Sequence, residues 1–284
     1  MSDVNAWIAD SGYSKQLGVE VVELTDELTR LALPFREGNS NPGGALHGGV
    51  YASLSVIGAQ ATARTALGMD LGPFHTVGFQ INYLAAAINE GVSAEARLLR
   101  RGKELCFVEV TVRSDSGREV SHATVLIRGR AGAEPNIGPP TQAVSAAGDD
   151  PGKMGGAVTA SVPFIHERGI VIEHMADGQS RLRMPWQESH GDATSGGTHE
   201  GAALALLDTA GAMAAWAVTG PGPYKASTPS MQAQVLAEPP AEELVAYAQV
   251  NYRDKEIFYS DVEVASASSG AVCARGTILY RIIT

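Results

Sequence analysis

Apolar and polar residues alternate from Leu17 to Leu33, interrupted at Thr25-Asp26-Glu27, and this period of two predicts a two-stranded piece of sheet. Ahead of it, Val4 to Tyr13 reads as a short leading helix. The stretch Asn41-Pro42-Gly43-Gly44-Ala45-Leu46-His47-Gly48-Gly49 then runs straight into Val50 to Leu67, which is apolar almost all round and predicts one long buried helix. Four strand-like runs follow, Thr76 to Leu84, Gly91 to Arg101, Leu105 to Ser114 and Glu119 to Arg130, separated by turn signals such as Asp115-Ser116-Gly117. A helix with so little polar surface must be covered on nearly every side, and a curved antiparallel sheet of five or six strands can wrap it. Residues 1–130 therefore read as one α+β domain.

From 131 to 160 the composition changes to Gly, Pro, Ala, Ser and Asp, with Pro139-Pro140 and Gly155-Gly156, and this segment reads as a linker without the apolar content to fold alone. The first pattern then returns over 161–284. Gly18-Val19-Glu20-Val21-Val22-Glu23 is repeated as Gly169-Ile170-Val171-Ile172-Glu173, and Pro34-Phe35 as Pro185-Trp186, both 151 residues later (169 − 18; 185 − 34). One residue is gained in the loop. After it His47 aligns with His199, Thr76 with Thr228, Gln80 with Gln232 and Arg101 with Arg253, each at 152 (199 − 47, and so on). A register this constant marks an internal duplication, so the chain is two copies of one fold.

Composition narrows the function. A net charge of −10 argues against a chain-wide nucleic-acid surface. Between Gly91 and Arg130 eight basic residues face five acids; that local excess is either a solvated strand face or an attractor for coenzyme phosphates. Cys106 and Cys273 lie in strand-like runs without a CxxC pair and read as buried free thiols of a reducing compartment. The N-terminal residues lack a basic segment followed by an apolar core, and no apolar run reads as long and uninterrupted enough to span a bilayer. The expectation is a cytoplasmic protein with no membrane or nucleic-acid partner. The histidines other than His47 and His199 (His75, His122, His166, His174 and His190) show no ligand spacing, so no metal site is expected, and no phosphate loop, nucleophile elbow or dinucleotide fingerprint occurs.

The chemistry concentrates at His47-Gly48-Gly49. Glycines let backbone N–H groups approach a ligand closely, and the free amides of a first helical turn favour negative charge, which together make an oxyanion site. The helix that follows carries no carboxylate, so an acid must come from elsewhere.

The arrangement Asn41-x5-His47-Gly48-Gly49 followed by an apolar helix resembles the hotdog-fold acyl-CoA thioesterases of the phenylacetate-degradation type, here as a fused tandem. The resemblance covers Leu17 to Arg130 and Gly169 to Ile283. It implies two hotdog folds paired as a pseudo-dimer, extending each other's sheet, with the site between them: one unit gives the Asn, the His and a Gly N–H, the other a helix carboxylate and a Ser or Thr. In that pattern the acid stands nine residues after the His. That position is Val56 in the first half (47 + 9) and Asp208 in the second (199 + 9). The Asn shows the reverse: Asn41 is present in the first half, Ala193 occupies its place in the second, and the second Gly-Gly has become Glu200-Gly201.

The losses are complementary. First loop and second helix assemble Asn41, His47, Gly48, Asp208 and Thr228 as the catalytic set, with Gly49 expected to bind substrate. Second loop and first helix give Ala193, His199, Glu200, Val56 and Thr76, a degenerate site. Each residue also has a plainer reading. Asp208 could only accept hydrogen bonds from the other unit, His47 could be a packed core histidine, Gly48 and Gly49 loop hinges, Asn41 a turn residue, and Ser230 could replace Thr228. The resemblance implies hydrolysis of an acyl-CoA thioester to acid and thiol, with Asp208 as general base or nucleophile and no cofactor beyond the coenzyme A of the substrate. It also implies further association into a homo-oligomer. The alternatives are a hotdog hydratase or dehydratase acting on an enoyl or hydroxyacyl thioester, and a non-catalytic acyl-CoA sensor.

Overall fold

The structure is a computed structural model and describes residues 2–132, 134, 136–143 and 148–284. Its first unit holds helices α1 (Ser2–Asp10) and α2 (Gly12–Leu17), strands β1 (Glu20–Leu24) and β2 (Leu28–Leu33), the long helix α3 (Gly48–Leu67), and strands β3 (Phe74–Tyr83), β4 (Val92–Arg101), β5 (Leu105–Ser114) and β6 (Glu119–Gly129). The second repeats it: α4 (Met154–Ser161), α5 (Pro163–Glu167), β7 (Val171–Ala176), β8 (Gln179–Met184), α6 (Glu200–Thr219), β9 (Lys225–Val235), β10 (Leu244–Asp254), β11 (Ile257–Ser266) and β12 (Val272–Ile283). The offset of 151 before the loop and 152 after it carries each element onto its counterpart, β2 onto β8 without a residue of slip.

All twelve strands form one antiparallel sheet in the order β1-β2-β4-β5-β6-β3-β9-β12-β11-β10-β8-β7. The units meet at β3 and β9, where Gln80 pairs with Gln232, flanked by Phe79 with Ala233 and Ile81 with Met231. Those partners are 152 residues apart or exchange under that offset, so the pair Gln80–Gln232 marks a pseudo-twofold axis. Two strands that would each leave a row of unpaired N–H and C=O groups close on one another here. This is the tandem hotdog arrangement, two central helices held by one continuous sheet.

Helices α3 and α6 lie side by side because small residues allow it. A Cβ on Gly49 would sit 2.7 Å from the Ala205 Cβ, and one on Gly201 would sit 3.1 Å from Ser53 Cα. Ser53 Oγ donates to the Gly49 and Gly201 carbonyls at 2.6 and 3.0 Å, tying the start of both helices together. Contrary to the sequence expectation, α6 is by length and composition apolar enough to cross a bilayer. Its residues from Glu200 to Ala215 are buried in the core, so hydropathy there reports wrapping by the sheet.

Three local expectations are corrected. The leading helix is two helices broken at Ser11, whose hydroxyl donates back to the Trp7 carbonyl at 2.7 Å. The turn at Thr25 is made by its backbone N–H to the Leu28 carbonyl, as the alternation required, but Leu17 ends α2 as a buried core residue and does not start a strand. The segment assigned to the linker contains, at 154–160, most of α4, the counterpart of α1. Eight residues with two glycines are too short and too poor in helix formers to be helical alone; α4 is held by docking, with Met154 and Val158 packed on the core.

Candidate functional site

His47 is the N-cap of α3, and its Nδ1 accepts the Gly49 N–H at 3.0 Å. That bond places the ring proton on Nε2, which takes no partner among the described residues and belongs to a side chain lining a cavity. The ring stacks on Phe164 of α5, centroids 4.0 Å apart and planes within 3°. The Arg168 guanidinium lies 3.7 Å from the centre of the Phe164 ring. Burial pulls the His47 pKa down to about 3, and the Arg168 charge acts in the same direction. The imidazole is therefore neutral at any ordinary pH and can act only as an oriented dipole and donor.

Asp208 lies in the middle of α6, 3% exposed, among apolar and small neighbours. Its Oδ1 accepts the Thr228 hydroxyl at 3.1 Å. Its Oδ2 would be 2.7 Å from a Cβ on Gly48, so the carboxylate lies directly against the first residue of α3 from the other unit, at a position no side chain could share. Burial raises its pKa to about 7 against the opposing effect of the Thr228 bond. Ser230, the alternative to Thr228, donates instead to the Ile81 carbonyl at 3.0 Å, so Thr228 is the hydroxyl that meets the acid. The Gly48 N–H opens α3 and, like every first-turn amide, has no partner within the helix.

Asn41, His47, Gly48, Asp208 and Thr228 all line one cavity of about 880 Å³. Gly49 does not: its N–H is taken by His47 and its α-carbon faces Ala205, so its role is helix packing and not the expected contact with substrate. Sequence reasoning missed the cover formed by Met154 and Val158 of α4, Val162 between the helices and Ile165 of α5, and five aromatic walls, Tyr51, Tyr83, Trp216, Tyr224 and Tyr280. The signal was present in the repeat, since the leading helix of the first half implies one at the same place in the second. The Tyr83 hydroxyl is buried without a partner among the described residues, and its pKa is raised well above the usual phenol value by burial and by the nearby Asp208.

The second set also converges, and it is filled. Glu200, in the position of Gly48, turns its carboxylate inward to accept Gln60 Nε2 at 2.6 Å and the Thr76 N–H at 3.1 Å, with His75 Nδ1 at 3.5 Å. Arg64, which replaces Trp216, donates to Gln60 Oε1 at 3.2 Å and lies 4.2 Å over the Trp7 ring. His199 repeats the cap of its counterpart, accepting from the Gly201 N–H at 3.0 Å, and stacks on Trp7 at 5.9 Å. Val56 is fully buried, and Ala193 uses its N–H to bond Ser11 Oγ at 3.1 Å. No carboxylate stands where Asp208 does.

A family model described as the acyl-CoA thioesterase N-terminal domain matches residues 36–128. A protein of Halobacterium salinarum described as a putative esterase is 31% identical over 131 residues, 45% of this chain and 86% of that one. A putative esterase of Deinococcus radiodurans is 32% identical over 115 residues, 37% of this chain and 66% of that one. Among solved structures, a conserved protein with a hot dog fold from Alicyclobacillus acidocaldarius superposes with a TM-score of 0.68 at 17% identity over 98% of both chains. An acyl-CoA thioesterase II from Mycobacterium marinum gives 0.64 at 11% identity over 93% of this chain and 96% of that one. The duplicated helix-in-sheet units, the likeness to whole solved hotdog chains and the sequence kinship agree: the chain belongs to the hotdog-fold thioesterases and esterases, hydrolases of thioesters, with two hotdog units in tandem.

Proposed function

We propose that the chain hydrolyses an acyl-CoA thioester to the free acid and coenzyme A at one composite site, built from the first-unit loop and the second-unit helix. The observation that carries this reading is the meeting of Asp208 Oδ2 with the Gly48 backbone in a cavity that also receives His47, Asn41 and Thr228.

Asp208, as the general base, takes a proton from a water whose oxygen attacks the thioester carbonyl carbon. A carboxylate with a pKa near neutrality is matched to that task, being largely ionised at slightly alkaline pH yet still basic enough to accept the proton. The charge that develops on the carbonyl oxygen meets the Gly48 N–H and the positive end of α3; in other enzymes a single such donor is worth roughly 3 kcal/mol. The Nε2–H of His47 and the amide of Asn41 orient the thioester, and Thr228 fixes the carboxylate. As the tetrahedral intermediate collapses, the C–S bond breaks and Asp208 returns its proton to the departing thiolate.

Replacing Asp208 with Asn keeps the shape and an acceptor for Thr228 but removes the base. Thiol release from acyl-CoA should fall by about 10³-fold or more with the fold intact. For the wild type, kcat/KM should rise with pH through about 7 and then level off. Retention of most activity in D208N, or a rate independent of pH from 5 to 9, contradicts the assignment.

A further inference from the structure

The pseudo-twofold offers an internal comparison: the same place in the fold is open on one side and filled on the other. Beside His199 the space is taken by Trp7, 3% exposed, whose Nε1 donates to Asp192 Oδ2 at 2.8 Å and whose ring lies under the Arg64 guanidinium. Beside His47 the matching residues are Val158 (7 + 151) and Trp216 (64 + 152), and both line the 880 Å³ cavity. An indole in one site thus corresponds to an isopropyl group and empty space in the other.

The walls of that space are apolar on both sides. Val158, Val162 and Ile165 come from α4, the joint after it and α5, Met213 and Trp216 from α6. Neither lysine nor arginine lines the cavity, and the one imidazole is held neutral. A carboxylate at the far end of an acyl group would be desolvated here without a cation, whereas methylene or ring carbons gain by leaving water.

We infer that Val158 is the specificity-determining residue of the composite site and sets the size of the acyl group that the space under α4 receives. The inference rests on the thioester reading above. Trp7 shows that a tryptophan at this position on the cap is accommodated by the fold, so Val158→Trp reproduces in the open site the filling already present in the closed one.

The test uses the full-length chain and two readouts. In the first, calorimetry measures the affinity of S-hexyl-CoA, a thioether that cannot be hydrolysed, against coenzyme A alone. The wild type should bind S-hexyl-CoA at least about tenfold more tightly than coenzyme A. Val158→Trp should abolish that difference, and the milder Val158→Phe should reduce it, with unfolding temperatures close to wild type. In the second, Val158→Trp should lower kcat/KM for hexanoyl-CoA at least about tenfold more than for acetyl-CoA.

The inference is overturned if both variants keep the wild-type preference for S-hexyl-CoA, or if Val158→Trp lowers the rates for hexanoyl-CoA and acetyl-CoA equally. If no ester is cleaved while S-hexyl-CoA binding still responds to Val158, the hydrolytic reading fails and the pocket assignment stands.

Discussion

At the scale of single residues, the site depends on placing groups where they are least comfortable. Asp208 is a carboxylate buried beside apolar neighbours, with a pKa of about 7 in the fold against 3.8 for the free side chain. The folded state holds the proton more tightly than the unfolded chain. The stabilising contribution of the protonated group is therefore complete below about 3.8 and is lost as pH rises through about 7. Asp208→Asn removes this pH-dependent loss. Chemical denaturation should find the variant more stable than wild type at pH 8, by at most about 4 kcal/mol since each tenfold in proton affinity is worth about 1.4 kcal/mol, with the difference vanishing near pH 4. Equal stability at both pH values would show that the carboxylate is solvated in the fold. The Tyr83 hydroxyl makes the same point with a neutral group: buried and without a partner among the described residues, it gains no hydrogen bond from the fold. Tyr83→Phe should leave the unfolding temperature unchanged or raised in a thermal melt, and a fall of several degrees would mean that the hydroxyl has a partner after all.

At the scale of elements, legibility followed side-chain period. The sheet strands and both long helices were readable because burial imposes alternation on strands and near-continuous apolarity on a wrapped helix, and Leu105 to Ser114 is a strand over the span the alternation marked. The cap helices were not equally readable. α4 is built from Met154-Gly155-Gly156-Ala157-Val158-Thr159-Ala160-Ser161, a composition that reads as linker, and it becomes helical only against the second unit. Its counterpart α1 brings Trp7 into the closed site, where the indole fills the place that is cavity beside His47. Trp7→Ala should therefore cost stability, about 3–5 kcal/mol as for other large buried side chains, while kcat per folded molecule, measured below the melting transition, stays within about twofold of wild type. A loss of turnover as large as that of D208N would mean that the closed site takes part in catalysis.

At the scale of the whole molecule, duplication allowed the two copies to divide their parts. A paired arrangement of identical units would present two identical sites. Here one site keeps the loop glycine and the acid, while in the other Glu200, Gln60 and Arg64 have formed a polar network that occupies the interior. Each unit is incomplete by itself, because the first has Asn41 and Gly48 opposite no carboxylate of its own and the second has Asp208 without them. The complementarity was visible from positions 41, 56, 193 and 208 alone, since the offset of the repeat states which residues must face one another. The closed state of the second site was not visible, because Arg64 and Trp7 come from elements that only the three-dimensional packing brings beside His199.

The central claim is that the two pseudo-equivalent sites are functionally unequal, and thiol release measured in parallel for Asp208→Asn and His199→Ala tests it most directly. With hexanoyl-CoA as substrate, D208N should lose about 10³-fold or more in kcat, whereas H199A, corrected for the folded fraction, should remain within about threefold of wild type. Comparable losses in the two variants, or a D208N chain that keeps most of its turnover, would contradict a single composite site.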